Sequence, residues 1–319
     1  MAIMSNSILM PSNGGEAVIC RRVRPVELPA AVGAILGSPA RPAPAAQVAE
    51  FISSAPDRRI DVQSIWVAEV SGRIASAVLP IVNPGRTLLL LTSPEVAATN
   101  VPATRLVGEI CGHFASQGVQ LAQVLLESQL HQSRQFFASM GFKEIAELIY
   151  LQGNVPRHTA APPMPEHMRW LEYSAETHAV FADAILKTYR ESLDCPDLSG
   201  LRDIDDVIAG HRATGEFDPA GWQLLLERDQ AVGVLLLSRI PQTDAMELVY
   251  LGLSPEARGR GLGIFLMKQV FFLILRNQRR RLSLAVDSKN GPALKLYYRF
   301  GMRQVATRLA MICNLRESC

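Results

Sequence analysis

Residues 258–263 read Arg-Gly-Arg-Gly-Leu-Gly, and this hexapeptide stands between two apolar stretches of different length. Ahead of it, 246–253 (MELVYLGL) has the size of a strand; behind it, the run from about 261 to 277 has the size of a helix. A glycine-rich turn that feeds a helix leaves backbone N–H groups free at the positive end of the helix dipole, with no side chains to hold a ligand away. Such an element suits an anion, and a pyrophosphate in particular. Two other glycine loops fit poorly. A dinucleotide loop wants G-x-G-x-x-G, yet the third glycine position counted from Gly259 is Ile264. A nucleoside-triphosphate loop ends in Gly-Lys-Ser/Thr, and that ending is absent.

Working outward, the chain says the same thing twice. In the second half, 222–228 and 231–240 read as a hairpin about an Asp229-Gln230 turn, and 246–253 as a third strand. The glycine loop and its helix follow, then a strand over 282–286, a short helix over 292–300 and a last strand over 304–314. The first half repeats this with a hairpin of 64–70 and 73–81 about Ser71-Gly72, and a strand over 86–92. A helix over 101–117, a strand over 121–126, a helix over 133–140 and a strand over 145–151 complete it. Ser93-Pro94-Glu95 answers Ser254-Pro255-Glu256, Gly141-Phe142 answers Gly301-Met302, and the spacing between these landmarks differs by one residue between the halves. So long a repeat points to a duplicated domain, not a solenoid. Residues 153–167 hold four prolines and no hydrophobic periodicity, which reads as a linker. The expected organisation is a domain over 17–152, a linker over 153–167 and a second domain over 168–316. The class is α/β: each domain has a mixed, mostly antiparallel sheet flanked by helices, with its third and fourth strands parallel across a helical crossover.

Composition narrows the function. With 48% hydrophobic and 19% charged residues the chain has material for two cores, and a net charge of +2 gives no electrostatic footprint for nucleic acid. The five cysteines are scattered, with no C-x-x-C pair, which fits a reducing cytoplasm better than a disulfide framework. The N-terminal residues lack the basic and apolar regions of a signal peptide. The longest apolar run, 264–275, carries Lys268 and Gln269 and falls short of the ~20 residues a bilayer needs, so no membrane partner is expected. The six histidines show no ligand spacing, so no metal is expected.

Two motifs together carry a resemblance. Arg258, Gly261 and Gly263 match R/Q-x-x-G-x-G/A, and Asn290, Ala293, Leu296, Tyr297 and Gly301 match N-x-x-A-x-x-L-Y-x-x-x-G-F, with Met302 in the place of Phe. At this separation they resemble the GNAT N-acetyltransferase superfamily, over about 168–314 and more weakly over 17–151. The resemblance implies two tandem GNAT-like domains and a direct transfer of an acetyl group from acetyl-CoA to a small-molecule or peptide amine. It implies acetyl-CoA binding by Leu253, Arg258, Gly259, Arg260, Gly261, Leu262, Gly263 and Asn290, Leu253 marking the backbone N–H that meets the developing oxyanion. It implies Glu247, eleven positions before Arg258, as general base and Tyr297 as the acid that protonates the leaving thiolate. Asn290 also suits the N-cap of the helix that begins with Pro292. A non-catalytic acetyl-CoA-binding or interaction protein built from two GNAT folds would need the loop but neither Glu247 nor Tyr297.

The first half lacks this chemistry. Laid on the second, it places Arg86 opposite Glu247, Ala97 opposite Arg258, Asn100 opposite Gly261 and Pro102 opposite Gly263. Leu130 falls opposite Asn290 and Phe137 opposite Tyr297. It is expected to be a degenerate, non-catalytic copy that packs on its partner or shapes the substrate cleft. Elsewhere, Arg279-Arg280-Arg281 suits a helix C-terminus, and Cys195 reads as an ordinary cysteine. The acidic segment 189–206 (Glu191, Asp194, Asp197, Asp203, Asp205, Asp206) falls where the family places substrate-facing helices, and suits either a cationic substrate or solvent.

Overall fold

The computed structural model describes residues 17–97, 99–241 and 243–316; the N-terminal stretch read above for a targeting signal, and Cys319, lie outside them. The first half runs β1 (Val18–Arg22), α1 (Leu28–Leu36), α2 (Ala45–Ser54), β2 (Trp66–Val70), β3 (Arg73–Asn83), β4 (Thr87–Thr92), α3 (Val101–Ala115), β5 (Leu121–Leu126), α4 (His131–Ser139) and β6 (Lys143–Asn154). The second half repeats that order as β7 (Met168–Glu172), α5 (His178–Tyr189), α6 (Ile204–Ala213), β8 (Trp222–Glu227), β9 (Gln230–Arg239), β10 (Ala245–Leu253), α7 (Leu262–Arg276), β11 (Arg281–Asp287), α8 (Gly291–Arg299) and β12 (Arg303–Asn314). Local chemistry sets the corners. Ser71 and Gly72 both take positive φ, the geometry that matches hairpin twist. In the second hairpin the left-handed pair is Arg228-Asp229, one residue earlier than the sequence reading places the turn. Asn100 and Asn290 cap α3 and α8 in the same way, each side chain accepting from the N–H three residues on, with proline in the first turn.

The two halves do not form two sheets. All twelve strands join one, in the order β1-β2-β3-β4-β5-β12-β6-β11-β10-β9-β8-β7. The last strand of each half crosses over. β12 pairs with β5, and β6 pairs with β11, so each half's final strand lies beside the parallel pair of the other. β6 and β12 also pair with each other in the middle. The cores follow the exchange. Leu151 of β6, fully buried, packs among Met267, Val270, Leu282 and Tyr297 of the second half, while Leu309 and Met311 of β12 pack among Val124, Leu126 and Phe137 of the first. Both strands beside β6, β12 and β11, come from the second half.

Each half contains a parallel pair that parts early. β4 pairs with β5 only over Thr87–Leu89, and β10 with β11 only over Ala245–Glu247. This register corrects the alignment of the halves: Thr87 stands where Ala245 stands, so the counterpart of Glu247 is Leu89, while Arg86 lies in the turn before β4 with φ 56°. The difference is three residues: β10 runs that much longer than β4 before the shared Ser-Pro-Glu, and a bulge between Leu248 and Tyr250 accounts for one of them. In the first half the wedge beyond the parting is filled. Ser133 on α4 accepts from the N–H of Val96 at 2.9 Å and donates to the carbonyl of Pro94 at 2.9 Å, tying the loop after β4 to the helix. Phe137, fully buried, sits edge-to-face on Phe136 and Phe142.

Candidate active site

In the second half the same wedge is open. A cavity of about 530 Å³ lies between β10 and β11, floored by α7 and α8 and crossed by the chain that leaves α5. Beyond Glu247, β10 is paired only with β9, so its backbone groups on the other edge face this cleft. Leu253, Arg258, Gly259, Gly261, Gly263, Asn290 and Tyr297 line it; Glu247, Arg260 and Leu262 do not.

The glycine loop forms one wall of the cleft. Gly261 caps α7 at φ 79°, a conformation that strains any residue with a Cβ, and it leaves open space where a side chain would stand. Gly263 answers another need. A Cβ there would come within 3.3 Å of Leu296, so glycine lets α7 and α8 approach across the cleft floor. Leu262 turns into the core at 6% exposure and contributes its backbone to the helix start. Asn290 lines the cleft while its side chain accepts from Ala293 N–H at 3.3 Å, so the capping and the cleft positions coincide.

The two arginines are engaged by protein. Arg258 donates to the carbonyls of Leu253 (3.2 Å), Thr188 (3.0 Å), Arg190 (2.8 Å) and Glu191 (2.9 Å). Its planar fork pins the chain that leaves α5 to the glycine loop. Arg260 forms a bidentate pair with Glu227 at 2.6 and 2.9 Å on the outer surface.

That pinned chain is the cleft's lid on the far side, and a second clasp holds its other end. Asp194 accepts from the N–H of Asp287 at 3.2 Å, and Asp287, buried, accepts from the N–H of Cys195 at 3.2 Å. Glu191 and Cys195 take left-handed backbone at φ 54° and 45° to make the path. Burial and the neighbouring acids push the Cys195 thiol up to about 12, which makes it a poor nucleophile. Most of the acidic segment is thus spent on structure: Asp203 caps α6, Asp205 meets His178 at 3.0 Å and Asp206 meets Arg86 at 2.8 Å. Asp194 alone combines a fold-level contact with a place in the cleft next to Glu191. No motif singles out Asp287, which ends β11 and carries this clasp.

Tyr297 is 7% exposed and reaches the cleft from α8. Burial, with the charge of Asp194 behind it, holds its phenol well above the ordinary tyrosine range, so it stays protonated. Tyr298 on the next helix face is half exposed. Glu247 is elsewhere. It follows Met246, which faces α7, so it points to the opposite face of the sheet. There it lines a second cavity near Tyr150 of β6, whose phenol is raised by burial and then by the Glu247 charge. Burial raises the Glu247 carboxyl above the usual range. Among the described residues no cluster of His, Cys, Asp and Glu is arranged to hold a metal, and no helix is long and apolar enough to cross a membrane.

A bulged strand that parts from its parallel neighbour, a glycine loop opening a helix in the wedge, and a buried tyrosine on the next helix define an acyltransferase fold of one class. Residues 184–302 match the acetyltransferase (GNAT) family. Among relatives it is similar to a mycothiol acetyltransferase of Mycobacterium sp. (strain JLS), 34% identical over a match covering 33% of this chain and 36% of that protein. A mycothiol acetyltransferase of Gordonia bronchialis is 30% identical over 59% of this chain and 62% of its own length. The chain thus matches between about a third and three fifths of these relatives. In fold it is similar to a GCN5-related N-acetyltransferase from Sphaerobacter thermophilus (TM-score 0.59, 17% identity, 95% of this chain and 97% of that one). It is also similar to a tandem GNAT protein from the clavulanic acid biosynthesis pathway (TM-score 0.50, 14% identity, 94% and 99%). Its fold is therefore that of a tandem GNAT protein.

Proposed function

We propose that the protein is an acetyl-CoA-dependent N-acyltransferase that moves an acetyl group directly to the amine of an acceptor at the cleft of the second half. The observation that carries this reading is the open wedge between β10 and β11, with the start of α7 and Tyr297 on its walls. The residues present fit the donor: Gly261 leaves a cradle open at the helix start, and the free edge of β10 runs along the wedge. The N–H groups at the start of α7 would hold the pyrophosphate, and Asn290 the arm. Acetyl-CoA, when bound, supplies an activated acyl carbonyl and a thiol leaving group. The backbone N–H groups of β10 near Leu253 stabilise negative charge developing on the carbonyl oxygen. Tyr297 keeps its proton at neutral pH and gives it to the departing sulfur. Glu247 receives the acceptor's proton from the opposite face of β10, through water. Arg258 positions the lid and leaves the phosphate to the backbone.

The first half serves as a non-catalytic copy, because its wedge is closed by Ser133 and Phe137 and its strand offers Leu89 where the second half has Glu247. The relatives that carry an acetyltransferase name support the reaction class. The test is acetyl-CoA titration by calorimetry, followed by thiol release with an amine panel for the full chain, Glu247→Gln and Tyr297→Phe. Binding with turnover that both variants impair supports the reading. Absence of acetyl-CoA binding contradicts it, and binding with no turnover on any amine reduces the protein to a binder.

A further inference from the structure

The second cavity, about 560 Å³, lies between the halves, and its walls carry opposite charges that do not meet. On one side stands Glu247 at the base of β10, with Thr243 just before the strand. On the other stand Arg58 and Arg59, in the chain that follows α2 of the first half. Neither arginine side chain has a hydrogen-bond or ion-pair partner among the described residues, and Glu247 has none either. The Glu247 carboxyl is pushed up by burial, with no cation close enough to bring it down. Two cations against one acid, Asp57, leave the first-half wall net positive. Such a volume is within the range of pockets that enclose small molecules.

The corresponding place in the other half shows what the fold does when no ligand is wanted there. By register, Gly85 is the counterpart of Thr243. At Gly85 the α6 helix of the second half closes in: a Cβ there would run into the backbone of Asp206, and Arg202 donates to the Gly85 carbonyl at 3.2 Å. Opposite charges meet directly, Arg86 donating to Asp206 at 2.8 Å. One junction between the halves is packed and neutralised; the other is open, with a carboxylate and two guanidinium groups facing a shared space.

We propose that this cavity is the acceptor pocket, with Glu247 facing the acceptor's amine and Arg58 and Arg59 of the first half taking a negatively charged group, carboxylate or phosphate, on the same small molecule. This rests on the transferase reading above and gives the first half a role: it selects the acceptor for a reaction run by the second. Tyr150, brought beside Glu247 by the strand exchange, is paired with Ala285, which lines the cleft.

The test uses the full chain at saturating acetyl-CoA, reading thiol release with two pairs of probes: ethanolamine against phosphoethanolamine, and n-propylamine against β-alanine. The anionic member of at least one pair is expected to show a kcat/KM about tenfold higher, the scale of a charge-assisted contact at a part-exposed site. The pair that responds tells phosphate from carboxylate. In the Arg58→Ala/Arg59→Ala variant this ratio falls toward one, whereas Arg105→Ala, on the surface of α3, keeps it. Thr243→Trp, which fills the cavity, lowers kcat/KM for every acceptor and leaves the acetyl-CoA Kd unchanged by calorimetry. The proposal is overturned if neutral and anionic amines are used equally, if the double variant keeps the ratio, or if Thr243→Trp does not affect turnover. A chain that releases no thiol with any amine overturns the transferase reading and this proposal with it.

Discussion

Replacing Arg258 by lysine keeps the charge and removes the fork. In the protein the guanidinium spans four carbonyls at 2.8–3.2 Å, from Thr188 to Glu191 on one side and Leu253 on the other. A lysine ammonium reaches one or two of these. Charge-assisted hydrogen bonds are worth ~1.5–3 kcal/mol each when buried, but these are half exposed and not additive, so the loss is about 3 kcal/mol in total. For a chain of this size that lowers Tm by about 5 °C. The lid from α5 then loosens, and acetyl-CoA affinity falls about tenfold as a secondary effect, because the donor must order what the arginine held. The assays are thermal unfolding of the free protein and calorimetric titration of acetyl-CoA. A variant with unchanged Tm and acetyl-CoA affinity lowered a hundredfold or more would refute the reasoning, since it would mean that the guanidinium holds phosphate and not the chain.

Further outcomes follow from the same geometry. Tyr297→Phe should lower kcat about a hundredfold, with a cooperative unfolding transition retained, since only the phenol proton is removed; thiol release at saturating acetyl-CoA measures it. Glu247→Gln should lose turnover yet gain stability at pH 7–8. A carboxyl whose folded pKa is raised imposes no penalty below the unfolded value and a full one above the folded value, so the gain vanishes near pH 4; Tm against pH for both proteins shows it. Leu151→Ala should cost ~2–5 kcal/mol, and the denaturation midpoint should fall for probes in both halves, because this first-half residue is fully buried in the second half's core. A change confined to one half would contradict the strand exchange.

The element order was legible in the sequence because strands such as β8 and β9 and the helix α7 are strongly apolar over their whole length, and because Ser71-Gly72 and Pro102 or Pro292 mark turns and helix starts. The glycine loop and Tyr297 were legible for a different reason: their spacing matches two motifs of the GNAT superfamily. What escaped was everything set by contacts distant in sequence. The exchange of β6 and β12 leaves no mark in either strand, since both are ordinary alternating segments that suit any neighbour. β10 runs three residues longer than β4 before the shared Ser-Pro-Glu, one of them the bulge at Val249, and this misaligned Arg86 with Glu247. Arg258 matches a donor-binding motif, yet three of its four partners lie some seventy residues earlier in the chain, where no pattern announces them. Glu247 stands at the expected spacing but on the face of the sheet away from α7, a fact that the packing of Met246 reveals.

The central claim is that one of two similar wedges is a donor site and the other is filled. Calorimetric titration of acetyl-CoA into the full chain tests it most directly. The account predicts a stoichiometry of one per chain, abolished by Gly261→Val, which places a β-branched residue at φ 79° in the cradle. Two sites per chain, or a single site that Gly261→Val leaves intact, would contradict it.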